Sequence, residues 1–466
     1  MDFTIRIGLV PLRRTMPGKR KIPIFGASYA IDNKCRLVPH IVDTFGDDRV
    51  RFVDLEFLNE EGMLFRESDV DRVVDHFVTK KVDAIFIVNC NFGDEEAAGL
   101  LARKMGKPVL IWAPQDEIIE ADGMRYTDSQ CGLFAVSKYL HRANVPFSWI
   151  KNCRVEDPAF TQGVRRFIAV ACMVKNFTGM RIAQVGLRPK PFISVIIDEG
   201  ALFSRFGIQV IPVNIGSVIE RHKRIMEERD TDLEGDVREF TGRFDTGDTD
   251  NQQLKRMLAF TYLYREIIEE LDCDVIATEC WTAMPQSVGA FPCCAMSKLA
   301  DERVIVTCET DILGTITMAL LASATLGRSV PFFVEFTMRH PERENVELLW
   351  HCGPVAYSLK KENSRAHLDL NRCGFEIKPG TYTIARLDSH QGEYSLLAGT
   401  FGTTTGPYTF GNYLWAQFDD LDAVERKLIE GPYIHHMAEI EGDHVATIRE
   451  FCKYIPGIAY DPLPGA

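Results

Sequence analysis

Apolar runs and amphipathic stretches alternate along the first 120 residues of the chain. RIGLVPL, VRFVDLEF, the unbroken VDAIFIVNC and PVLIWAP read as strands. Between them CRLVPHIVDTF, SDVDRVVDHFVTKK and GDEEAAGLLARKMG set apolar residues at helical spacing. Unbroken apolar strands joined by helices predict a parallel sheet covered on both faces, with ligands at the carboxyl ends of its strands. Those ends carry Asn89, Asn91 and Phe92, then Gln115 and Asp116.

A helix-rich stretch over 130–178 closes this unit, and RIAQVGLRP starts a second strand-loop-helix pattern. The polar run 228–253 has little apolar content and reads as a solvated helix and loop. It is followed by a helix feeding the strand DVIAT. The pattern changes in GTYTIARLDSHQGEYSLLAGTFG, where alternation and glycine turns predict antiparallel strands. The expected architecture is two Rossmann-like parallel-sheet α/β domains followed by a β-rich, antiparallel, barrel-like carboxyl-terminal domain. Their expected spans are residues 1–178, 179–320 and 321–466.

Composition narrows the function. A formal net charge of −13 over 466 residues argues against a nucleic-acid or anionic-membrane binder, both of which need a basic surface. Thirteen cysteines, an odd number, fall largely in apolar runs (Cys90, Cys172, Cys273, Cys308), as expected of free thiols in a reducing compartment. The amino terminus opens as a strand without a signal region, and no apolar stretch reaches membrane-helix length. A cytoplasmic protein is expected. GxGxxG, GxxxxGK[ST] and GxSxG patterns are absent, which removes support for nucleotide binding and for a serine hydrolase.

Polar residues beside the later apolar runs carry the candidate chemistry. Glu309 follows VIVTC, Glu335 sits in VPFFVEF, and His351 ends VELLWH. Buried carboxylates and an imidazole at strand ends are costly unless paired, hydrogen-bonded or bound to a metal. The segment VGLRPKPF offers Gly186 for close backbone approach, and Arg188 and Lys190 for an anion or a polyol. Trp281, beyond DVIAT with Glu279, suits the apolar face of a sugar. Of the histidines His435, His436 and His444, the adjacent pair is expected to point to opposite faces of a strand, so that only one easily reaches a given site.

Taken in order, VGLRPKPF, DEG, RFGIQV, ATECW, FPCCAMSKLADE, CETDILGTITMALLASATLG, FFVEF, HCGP and HHMAEIEGD resemble the L-fucose isomerase and L-arabinose isomerase superfamily, closest to its fucose-isomerase-like branch. The resemblance implies a metal-dependent aldose–ketose isomerase working through an enediol. Glu309 and Glu335 match its two acids, which bind Mn²⁺ and perform the acid–base chemistry; oxygen-rich ligation also admits Mg²⁺ or Co²⁺. His436 matches the carboxyl-terminal histidine, with His435 as its alternate, and Asp311 is a further acid able to compete for the metal. His351, Arg188, Trp281 and Asn89 are expected to contact a monosaccharide. Family members are commonly trimers or hexamers, so a homo-oligomer is expected. Two other readings stand beside this one. One is an isomerase or epimerase for a sulfonated or carboxylated sugar, with Arg13, Arg14, Lys19, Arg20 and Arg188 as anion contacts. The other is a non-catalytic sugar-binding protein.

Overall fold

The computed structural model describes residues 1–15, 25–116, 119 and 123–465; Lys19 and Arg20 lie outside them. The chain divides into two compact units. One comprises Asp2–Lys175 with Arg449–Pro456, and the other Asn176–Ile448 with Gly457–Ala466.

The first unit holds a parallel sheet of β1 (Ile5–Leu12), β2 (Val50–Val53), β3 (Ala84–Asn89), β4 (Val109–Trp112) and β5 (Ser148–Trp149), in the order β2-β1-β3-β4-β5. All six residues of β3 are buried, as a strand covered on both faces requires. The order is that of flavodoxin-type doubly wound sheets.

The second unit contains two sheets. Four parallel strands, β6 (Arg181–Val185), β7 (Gln209–Val213), β8 (Val275–Thr278) and β9 (Val306–Thr307), run in the order β7-β6-β8-β9. The other sheet has β10 (Phe332–Arg339), β11 (Val346–His351), β12 (His367–Asp369), β13 (Arg372–Glu376), β14 (Thr381–His390), β15 (Glu393–Thr404), β16 (Asn412–Gln417), β17 (His436–Glu441) and β18 (Ile458–Pro462). Its order is β12-β13-β16-β11-β10-β17-β14-β15-β18, and a further β15–β16 pairing closes the six middle strands into a barrel. The barrel's ladders are antiparallel. The expected fold class is borne out.

Local chemistry explains two features. β14 and β15 are joined by Gln391-Gly392, both at positive φ (53° and 84°), the mirror-image turn whose twist matches paired strands. The run read as solvated contains a helix, Asp230–Thr241, that buries Leu233, Val237 and Phe240. Three apolar residues at spacings of four and three suffice for one buried stripe, which low overall hydrophobicity concealed. Among the described residues no helix is long and apolar enough to cross a membrane. Cys90, Cys172, Cys273 and Cys308 are buried.

Glu439 on β17 stands opposite Phe332 and Ile384 in the barrel ladders. It is fully buried, neither oxygen has a hydrogen-bond partner, and burial raises its carboxyl well above the ordinary value of 4.5. A raised folded-state pKa contributes stability that is full below the unfolded value and is lost as pH rises. Glu439→Gln should therefore melt higher than the parent at pH 8, by roughly 2–4 °C, and the gain should vanish toward pH 4.5. Circular-dichroism melts across that range check the trend.

Candidate active site

β9 ends at Thr307, and a single tight turn, Cys308–Thr310, leads into the helix Ile312–Ala324. Glu309 and Thr310 both adopt left-handed backbone, with φ of 65° and 55°. For residues carrying a Cβ this costs about 1–2 kcal/mol each, so the surroundings must hold the turn in place. Asp311 caps the helix, accepting from Gly314 N at 2.8 Å. Thr310 Oγ1 donates to Leu187 O at 3.0 Å, tying the turn to the loop after β6. The result is a carboxylate at position 309 that is buried to 7% exposure.

The barrel supplies the facing groups. Glu335 on β10 stands directly opposite His436 on β17, and directly opposed residues project from the same face. Glu335 Oε1 lies 3.8 Å from His436 Nε2 and 3.7 Å from His351 Nε2 at the end of β11. His436 Nε2 is 3.1 Å from Glu309 Oε2, without hydrogen-bond alignment. Glu309 Oε2, His351 Nε2 and His436 Nε2 are thus all buried without a hydrogen-bond partner. Phe333, from the same face of β10, packs its ring against both imidazoles at 5.2 and 5.6 Å.

Buried acceptor atoms left without a partner, such as Glu309 Oε2 and His436 Nε2 beside Glu335, are what a cation site presents. Glu309, Glu335 and His351 each offer a ligand atom within 4.8 Å of the others, as do Glu335, His435 and His436. Both adjacent histidines therefore reach the same place. The expectation that only one could do so fails because β17 begins at His436, so strand alternation does not govern His435.

The ring nitrogens facing away from this point differ in their partners. His436 Nδ1 is 2.9 Å from Asp311 Oδ2, and an ionised carboxylate only accepts, so Nδ1 carries a proton. His351 Nδ1 accepts from Cys352 N at 2.9 Å, which puts the proton of the neutral ring on Nε2. Burial pushes the Asp311 carboxyl up, but the Arg386 guanidinium and His436 outweigh it and hold it below the usual range. Burial raises Glu335, against the pull of His351 and His436 and with a push from Glu309. His436 is disfavoured as a cation by burial, but Asp311 and Glu309 raise it overall.

The remaining candidates take various positions. Asp311 is engaged on both oxygens, with Arg386 Nη1 at 2.6 Å sharing Oδ2 with His436, and belongs to neither group of potential ligands. Trp281 is half-buried with Nε1 unpartnered, and Phe192 bridges it to His436 at ring distances of 5.8 Å on each side. Arg188 is half-buried in the loop whose Leu187 O holds Thr310, and its Nη1 donates to Pro189 O. Asn89 lies in the other unit, buried, donating to Phe92 O. Arg13, also there, is committed to Glu61 through two contacts of 2.5 and 2.9 Å. Sequence reading missed Arg386, Phe192 and Phe333. A charged residue amid the apolar run TIARL was the available signal for Arg386.

Known proteins resemble this chain in sequence. The model of the fucose/sulfoquinovose isomerase amino-terminal domain matches residues 18–178. A sulfoquinovose isomerase of Alkalicoccus urumqiensis is 27% identical over 384 residues, covering 80% of this chain and 84% of the relative. One from Priestia aryabhattai is 22% identical over 397 residues, covering 83% and 87%. These matches bear out the resemblance to the fucose-isomerase-like superfamily. A D-allose-bound periplasmic solute-binding protein from Actinobacillus succinogenes aligns only at a TM-score of 0.16 and 11% identity, over 69% of this chain and 92% of that one.

Gly186, at φ 80°, opens the loop that holds Thr310, and a Cβ there would lie 2.5 Å from Glu279 Oε2. Glu279 in turn accepts from Leu187 N at 3.0 Å, so the loop cannot simply move away. Gly186→Ala should cost roughly 1–2 kcal/mol or more from the left-handed backbone alone. An unchanged denaturant midpoint would show that the loop is freer than this packing implies.

Proposed function

We propose that the chain, as a relative of the fucose-isomerase-like superfamily, is a metal-dependent aldose–ketose isomerase acting on an anionic, sulfonated aldose. The observation that carries the reading is the convergence of Glu309, Glu335, His351 and His436, with Glu309 Oε2 and His436 Nε2 buried as acceptors without a partner. The names of the similar sulfoquinovose isomerases support the sulfonated substrate. Family resemblance supports Mn²⁺, with Mg²⁺ or Co²⁺ as alternatives, and a cytoplasmic trimer or hexamer.

Isomerisation moves a proton between C1 and C2 of the open-chain sugar through an enediol. One glutamate takes the carbon-bound proton and returns it to the neighbouring carbon, while its partner carries a proton between the two oxygens. Their closeness suits this work, because a proton on one carboxyl stabilises the ionised state of the other. Glu309, Glu335 and His436 would hold the cation, which when bound polarises the carbonyl and neutralises developing charge. His351 presents Nε2–H to a sugar oxygen. Phe192 and Trp281 form the apolar wall, and Arg188, in the loop whose Leu187 O accepts from Thr310, is a basic group suited to the sulfonate.

The test is metal-stripped protein with and without Mn²⁺, given sulfoquinovose and neutral aldoses in deuterated water and followed by NMR. Mn²⁺-dependent ketose, with deuterium entering C2 in the reverse direction, is the expected result. Ketose from neutral aldoses alone would remove the sulfonated substrate; epimerisation without ketose would replace the reaction; sugar-induced stabilisation without turnover would leave only a binding protein.

Two substitutions sharpen the assignment. Glu309→Gln should lower kcat on the order of 10²–10⁴-fold with an unchanged metal-free melting curve. Arg188→Ala should raise KM for the sulfonated sugar about tenfold, equivalent to ~1.4 kcal/mol, leaving kcat within a factor of a few.

A further inference from the structure

We infer that Asp311 is the positioning residue of this site: anchored by Arg386, it holds His436 so that an unprotonated Nε2 faces Glu309 and Glu335. The inference rests on the isomerase reading and adds a function for a carboxylate that its position in sequence would make a rival metal ligand.

The geometry leaves Asp311 no free oxygen for that rival role. Oδ1 accepts from Gly314 N, and Oδ2 accepts from both Arg386 Nη1 at 2.6 Å and His436 Nδ1 at 2.9 Å. Arg386 is fully buried on β14 and is itself oriented by Asp388, whose Oδ2 is 3.1 Å from Nε. Both oxygens already accept, Oδ1 from Gly314 N and Oδ2 from Arg386 Nη1, so Asp311 meets the imidazole as an acceptor and His436 donates through Nδ1. The lone pair then sits on Nε2, the atom that is buried, unpartnered and aimed at the two glutamates. Such carboxylate–histidine pairs fix ring orientation and raise ligand basicity, and their loss costs 10–100-fold in metal affinity or activity as a general magnitude.

A purely structural cap would behave differently, and Asp311→Asn separates the two. Asparagine caps helices as well as aspartate does, so the Gly314 bond survives. Its amide nitrogen, however, replaces the acceptor shared by Arg386 and His436 with a donor. His436 can meet that donor only by accepting at Nδ1, which moves its proton to Nε2 and removes the lone pair.

The experiment measures Mn²⁺ affinity by calorimetry and kcat and KM for the isomerised sugar, in the full chain. Asp311→Asn should weaken Mn²⁺ binding at least tenfold and lower kcat more than it changes KM. Because that variant leaves Arg386 facing a donor, Arg386→Lys and Arg386→Met are measured beside it. Lysine, which preserves the charge on Asp311, should retain more Mn²⁺ affinity and kcat than methionine. Parent-like Mn²⁺ affinity and kcat in Asp311→Asn, or equal losses in the two Arg386 variants, overturns the positioning role while the isomerase reading stands. Failure of the parent itself to bind Mn²⁺ or turn over any sugar overturns that reading instead, and this inference with it.

Discussion

The site depends on one buried ionic junction. Asp311 receives donors from three elements: its own helix through Gly314 N, β14 through Arg386, and β17 through His436. Each ion would be costly in the interior alone, by several kcal/mol. Together their hydrogen bonds satisfy both oxygens of the carboxylate, and removing one partner strands the others. The junction therefore fixes the start of the helix against two barrel strands, and with it the turn two residues upstream that presents Glu309. Gly314 permits the approach: a Cβ there would lie 2.7 Å from the Phe333 ring and 3.0 Å from Arg386.

The two acids reach the site by different physical routes. Glu335 is delivered by an ordinary ladder, whose register alone sets it opposite His436. Glu309 is delivered by two consecutive left-handed residues with no glycine to relieve them. Strain of that kind persists only where the surroundings over-determine it. Here the helix cap on one side and the Thr310–Leu187 bond on the other do so. The strained residue is also the one that leaves an oxygen buried and unpartnered, in keeping with strain concentrating where chemistry is done.

Periodicity made the fold legible. Unbroken apolar runs identified the parallel strands, and alternation with glycine turns identified the barrel; Gln391-Gly392 is the clearest case. The helix in the polar run 228–253 was read as solvated, because three apolar residues in so polar a stretch are enough for a buried stripe. For the site, Glu309, Glu335, His351 and His436 each showed as a polar residue beside an apolar run, yet nothing in their spacing says that they meet. Their convergence was legible only through resemblance. The signal at Arg386 went unread for a related reason: in a strand read alone a charged residue is assigned to the solvent face. Strand alternation alone sets Asp388 on its face, but only the fold brings Asp311 to it. The reach of His435 was misjudged because the start of a strand is the least certain part of a sequence reading.

The β10–β17 pair shows how one ladder keeps chemistry and core apart. Phe333, Glu335, His436 and Ala438 project from one face, and Phe332, Val334, Met437 and Glu439 from the other. The first face carries a carboxyl raised by burial but drawn back by two imidazoles. The second carries a carboxyl raised by burial with nothing opposing it, set opposite phenylalanine, and so held neutral in the apolar interior. The two acids have the same side chain; their partners across the ladder make the difference. A slip of one residue would set Val334 opposite His436 and turn Glu335 into the core, so the site and the core cannot be altered independently. Register is thus the constraint that selects which buried glutamate shares a face with His436.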